Sequence, residues 1–114
     1  MTFQTTEFTE VDMVAGTATS TAGAATVNAQ SGIITTESLT TLGGATYTMT
    51  LTNSEITANS IVYATIGKGT ATTGSPVVSY ITAGAGTAVI LVTNASSSVA
   101  LNGTIKIGFT AFNI

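Results

Sequence analysis

From residue 26 onward, apolar and polar residues alternate with a period of two along much of the chain. Between Ala45 and Asn53, residues Tyr47, Met49 and Leu51 fall on one side, with Thr46, Thr48, Thr50 and Thr52 on the other. Successive side chains of a β-strand point to opposite faces, so this spacing predicts a strand with one buried side. Threonine, branched at Cβ, suits the pleated outer surface of such a strand. The same pattern returns at the end of the chain. Leu101, Ile105, Ile107, Phe109 and Ala111 alternate there with Asn102, Thr104, Lys106, Gly108 and Thr110.

Shorter segments extend the β reading. Val27 and Ala29 lead to Ser31-Gly32, read as a turn, and then to Ile33-Ile34-Thr35-Thr36. Leu39 to Leu42 runs into a second turn at Gly43-Gly44. Ile61 to Ile66 is apolar on both faces, as expected of a central covered strand. Val77 to Thr82 and Thr87 to Thr93 predict a hairpin about Gly84 and Gly86. Pro76, the only proline, lacks an N–H and so belongs at a strand start or edge. Gly67 to Ser75 and Asn94 to Ser98 are loops by composition, and Asn53 is placed to cap one short helical turn through Thr57.

Seven or eight short strands with glycine turns predict an all-β protein, an antiparallel two-sheet sandwich over residues 26–114. Connections long enough to cross between sheets favour a jelly-roll-like arrangement, with an immunoglobulin-like sandwich as the alternative. Residues 1–25 read differently. Phe3, Phe8, Val11 and Met13 lie among Glu7, Glu10 and Asp12, followed by the low-complexity run Ala15 to Ala25. Small residues have little to bury against the entropy of ordering them, so the segment is expected to be an extended N-terminal arm. Its four apolar residues are the candidate protein-interface residues. The three acids lack the loop glycine and further ligands of a calcium site and are read as solvated.

Composition sharpens the picture. Of 114 residues only 6% are charged, with two lysines, five acids and a net charge of −3. An ordinary soluble domain carries about 25% charged residues. Cationic clusters are missing, which excludes the electrostatic route to nucleic acid and to acidic membranes. A surface this poor in ions is expected to be covered by copies of itself or by a larger assembly. The longest apolar stretch, Val77 to Val92, is interrupted and too short to span a bilayer, and no secretory signal is visible at the start. Synthesis in a cytoplasm, without export by that route, is therefore expected.

Catalytic chemistry finds little to work with. Histidine and cysteine are absent, which removes the commonest general base and the usual nucleophile–base pairs. Glu37 and Glu55 could serve as a glycosidase pair only if the fold set them opposite each other. Gly67-Lys68-Gly69-Thr70 fails the phosphate-loop spacing, because Val62 and Gly69 stand where Gly and Ser or Thr are needed. Asn94-Ala95-Ser96 and Asn102-Gly103-Thr104 are glycosylation sequons by letter, read as chance matches. No enzymatic activity, cofactor or metal is expected.

The stretches Ser31 to Thr41, Gly44 to Ser54 and Ala100 to Ile107 resemble small β-sandwich virion proteins of tailed bacteriophages, notably those infecting cyanobacteria. The resemblance spans roughly residues 26–112 and rests on turn and strand patterns. It implies a structural virion component without catalytic residues. The nearest role is a capsid decoration (cement) protein, a homotrimer bound to the major capsid protein on the capsid surface. Tail or tail-fibre modules that bind a host receptor or glycan are the alternative, and a single domain beginning at Met1 favours cement.

Overall fold

The computed structural model describes residues 15–113. These form ten strands and, among the described residues, no helix: β1 (Ala15–Thr19), β2 (Ala24–Thr26), β3 (Ser31–Thr35), β4 (Leu39–Thr41), β5 (Thr46–Thr52), β6 (Ile61–Lys68), β7 (Pro76–Gly84), β8 (Thr87–Asn94), β9 (Leu101–Gly103) and β10 (Ile105–Phe112). They build a four-stranded sheet β1-β3-β10-β6, a second of order β2-β5-β8-β7, and a small ribbon β4-β9.

The two four-stranded sheets share one core. The first contributes Ile34, Ile105, Ile107, Phe109 and Ala111. The second contributes Ala25, Met49, Leu51, Ala88, Ile90 and Val92, and Ile56 closes one end. Burying an aliphatic side chain of this size contributes about 1.5–3 kcal/mol. At the margins of the sheets, β1 lies beside β2 and β6 beside β7, with Cα atoms within 8 Å. The arrangement is sandwich-like.

The alternating segments behave as the pattern predicts. Met49 and Leu51 of β5 are fully buried while Thr46, Thr48 and Thr52 are exposed. The strand at the end of the chain buries all five of its alternate apolar residues, with a break at Thr104 between β9 and β10. The β7–β8 hairpin turns through Ala85-Gly86, and Gly86 takes φ +77°. Pro76 opens β7, an edge strand.

Four expectations are corrected. Residues 15–25 form β1, a turn and the start of β2. The turn has positive φ at both Ala22 and Gly23, the pattern of a type I′ turn, and Thr21 and Ala24 exchange backbone hydrogen bonds of 2.9 and 3.0 Å across it. Backbone pairing with β3 and β5 supplies the order that small side chains could not. Those two pairings are parallel, so each sheet is mixed at one edge. Ser31-Gly32 is no turn but lies within β3; a Cβ at Gly32 would meet Gly16 O at 2.5 Å and the Phe109 ring at 3.1 Å. Finally, β6 is an edge strand, not a central one: Val62, Ala64 and Ile66 face the core and Ile61, Tyr63 and Thr65 face out.

Asn53 does cap, though no helix follows. Its Oδ1 accepts from the Glu55 N–H at 2.9 Å, and Ile56 N–H donates to Asn53 O at 3.0 Å, closing an Asx-turn.

Candidate functional site

The outer face of the first sheet is built by register. Across it run the rows Ala15–Ser31–Thr110–Tyr63, then Thr17–Ile33–Gly108–Thr65, then Thr19–Thr35–Lys106. Gly108 presents no side chain at the centre, so a depression opens over it. The depression is an open groove of about 640 Å³, walled by Ala15, Ile33, Tyr63, Thr65 and Thr110. A Cβ at Gly108 would meet only Thr65 Cγ2 at 3.6 Å, so the groove floor has room for a side chain.

Large apolar groups surround this floor. Ile33 is 47%, Tyr63 62% and Phe112 51% exposed, and Ile61 is exposed opposite Phe112. The rings of Tyr63 and Phe112 meet edge to face, with centroids 5.5 Å apart and planes at 78°, which fixes one wall. The exposed Lys106 lies on the same face one row beyond Gly108, whereas the exposed Lys68 ends β6 on the other side, beside Ile66 and Ile105. They are the chain's two basic side chains.

The second sheet shows a threonine-rich exterior. Thr46, Thr48, Thr50 and Thr52 of β5 face Thr93, Leu91, Val89 and Thr87 of β8. Val77 and Tyr80 of β7 are exposed beyond them. Thr46 and Thr93 hydroxyls lie 3.3 Å apart, and Ser79 hydrogen bonds to Thr93. No charged side chain occurs on these three strands.

A polar cluster joins the sheets at one end. The Glu37 carboxylate accepts from Ser20 Oγ, from Gly23 N–H at 2.8 Å and from Tyr47 OH at 3.0 Å. In return Glu37 N–H donates to Ser20 Oγ at 3.1 Å. Partial burial alone would raise the Glu37 pKa, but the hydrogen bonds from Ser20, the backbone and Tyr47 outweigh it and hold the carboxyl below its ordinary value. Desolvation, with the Glu37 charge beside it, pushes the Tyr47 phenol up to about 12. Three donors of this cluster, Ser20 Oγ, Gly23 N–H and Tyr47 OH, are spent on the carboxylate, which makes it a fastening.

Glu37 and Glu55 are not brought together. Tyr47, at the start of β5, touches Glu37, whereas Glu55 follows the far end of that strand. At about 3.4 Å per residue the two carboxylates stand well beyond the roughly 5–9.5 Å that glycoside hydrolysis uses. The sequon asparagines are both engaged. Asn94 is fully buried; its Oδ1 accepts from Ser75 and Ser96 N–H at 2.9 and 3.2 Å, and its Nδ2 donates to Thr41 O and Val99 O at 3.1 and 2.8 Å. Asn102 Oδ1 accepts from Thr72 and Thr73 N–H, each at 3.0 Å, ordering the loop before β7.

The candidate interface residues Phe3, Phe8, Val11 and Met13, and the acids Glu7, Glu10 and Asp12, lie outside the described residues. The groove itself escaped the sequence reading. Its only signal was Gly108 at an outward position of an otherwise regular strand. No family model, curated protein or solved structure matches this chain.

Proposed function

We propose that this chain is a non-enzymatic structural protein of a bacteriophage virion: a capsid decoration (cement) protein that binds the capsid exterior as a homotrimer and stabilises it. The supporting observation is that exposed large apolar side chains stand on the outer faces of both four-stranded sheets while charge is nearly absent there. A surface of that kind marks protein–protein contact. The virion setting rests on the resemblance of residues 26–112 to phage β-sandwich proteins. Nested pairing of β3 with β10 and of β5 with β8 favours a jelly-roll-like sandwich, the form common in capsid modules.

In this reading the major capsid protein is the partner, and Phe3, Phe8, Val11 and Met13 form the contact that reaches a neighbour. Apolar area buried across a junction contributes about 25 cal/mol per Å² before association costs are subtracted. Repeated over a shell, such contacts would oppose the outward pressure of packaged DNA.

The test is co-sedimentation of the purified chain with mature heads lacking their decoration. Saturable binding, lost on deletion of residues 1–14 with the far-ultraviolet circular dichroism retained, supports the proposal. Failure to bind heads, with blocking of phage adsorption by the free protein, would replace it with a receptor-binding tail module.

A further inference from the structure

We infer that the groove over Gly108 is the seat of the N-terminal segment, residues 1–14, of a second copy of this chain. The receiving surface is apolar and open, walled by Ile33, Tyr63, Thr65 and Thr110, and Phe112 supports the Tyr63 ring. The segment carries what such a surface binds: two phenylalanines, Phe3 and Phe8, with Val11, Met13 and Val14. An amphipathic aromatic wall and an aromatic anchor are the usual centre of a protein contact.

Charge adds a second argument. The segment holds Glu7, Glu10 and Asp12 and no basic residue. The remaining charged residues are Lys68, Lys106, Glu37 and Glu55, two of each sign, so the whole net charge of −3 resides in the first 14 residues. Of the two lysines, Lys106 stands on the groove-bearing face, one outward row from Gly108, while Lys68 ends β6 on the other side, beside Ile66 and Ile105. An acidic, aromatic segment thus meets an apolar groove with the Lys106 cation one row away on the same face. Such complementarity fixes the register of an encounter more than its strength.

The direction of the chain selects a second copy over the chain's own segment. β1 runs from the Ala15–Ser31–Thr110–Tyr63 row toward the Thr19–Thr35–Lys106 row. Residues before Ala15 therefore enter from the end of the sheet opposite Lys106. To lie in its own groove the segment would have to reverse sharply just before Ala15, where Asp12 is the one turn-favouring residue and neither glycine nor proline is present. Fourteen extended residues span up to about 46 Å, three times the roughly 14 Å width of four strands, which suffices to reach a neighbour. One patch that gives a segment and another that receives one make a heterologous contact, which closes into a ring when its rotation permits and otherwise extends as a filament. The ring being a trimer rests on the function proposed above; the groove and its occupant do not.

The absence of native cysteine makes the test specific. A nitroxide on Thr5→Cys in an unlabelled full-length chain is mixed with an isotope-labelled full-length chain, and paramagnetic broadening is read on the labelled one. Broadening centred on Ile33, Thr65 and Gly108 supports the inference. Absence of broadening at those residues of the isotope-labelled chain, or broadening on another face, overturns it. A second arm uses Gly108→Leu, which fills the groove floor, and Tyr63→Ser, which removes a wall without touching the core. Sedimentation equilibrium should show association weakened at least about tenfold in both variants, with circular dichroism unchanged. Unaltered association in both also overturns the inference. Head binding is assayed separately: failure there with groove docking intact removes the cement role and leaves arm exchange standing.

Discussion

The hydroxyl of Tyr47, on β5 of the second sheet, donates a 3.0 Å hydrogen bond to the carboxylate of Glu37, in the connection leaving β3 of the first. The same carboxylate holds Ser20 and the Gly23 N–H, so one side chain ties the β1–β2 turn, the β3–β4 connection and β5 together. Glu37→Ala is expected to lower stability by about 1–2 kcal/mol, the lower part of the range for hydrogen bonds to a charged group because the site is partly exposed. Urea unfolding with an unchanged slope and a reduced midpoint would show it. An unchanged midpoint would mean that the three donors find water at no cost.

The pair also sets the pH response. Glu37 is held below its ordinary value of 4.5, so the folded state binds its proton less readily than the unfolded chain. Its contribution is present above the unfolded value and is lost as pH falls through the lowered folded one. Tyr47 acts at the other limit. With its pKa raised from 10.0 to about 12, the unfolded chain gives up that proton first, and stability falls as pH rises between those values. In a phenolate absorbance titration, Tyr47→Phe should remove a component that titrates near 12. Loss of an earlier component instead would contradict the assignment.

Asn94 satisfies four backbone groups from a fully buried position. Asn94→Ala strands them and is expected to cost about 3 kcal/mol. Asn94→Asp should be no better, because a carboxylate has no hydrogen to offer the Thr41 and Val99 carbonyls. Asn102, exposed on β9, should cost under about 1 kcal/mol on truncation to alanine. Thermal unfolding of the three variants checks the order.

Two strand glycines should respond oppositely. Gly32→Ala drives a methyl into Gly16 O and the Phe109 ring, an overpacking expected to cost about 1–3 kcal/mol. Gly108→Ala meets only Thr65 Cγ2, at an ordinary contact distance of 3.6 Å, and should be neutral or stabilising by up to about 1 kcal/mol, since glycine weakens a strand. Equal losses at both positions would show that backbone flexibility, not steric fit, governs them.

Local alternation was legible where one face of a strand meets the core and the other meets water. Tyr47, Met49 and Leu51, and the residues from Leu101 to Ala111, carried that signal plainly. The strands of small residues did not: Ala15-Gly16-Thr17-Ala18-Thr19 has no side chain large enough to mark a face, and its order comes from parallel pairing with β3. Glycine misled in the same way. Gly86 marks a turn and Gly32 a close approach of strands, and the two look alike until the neighbouring backbone is known. Ile61 to Ile66 looked covered on both sides because edge and central strands differ only in what lies beside them.

By itself the sequence determined the β class, the positions of the long strands and hairpin, the shortage of charge, and the lack of histidine and cysteine chemistry. Those follow from residue type and a period of two, which are local properties. Tertiary structure decided the pairing partners, the edge position of β6, the Glu37 fastening and the groove over Gly108. Each of these depends on which distant segments the packing of one core brings side by side, and no local spacing encodes that neighbour.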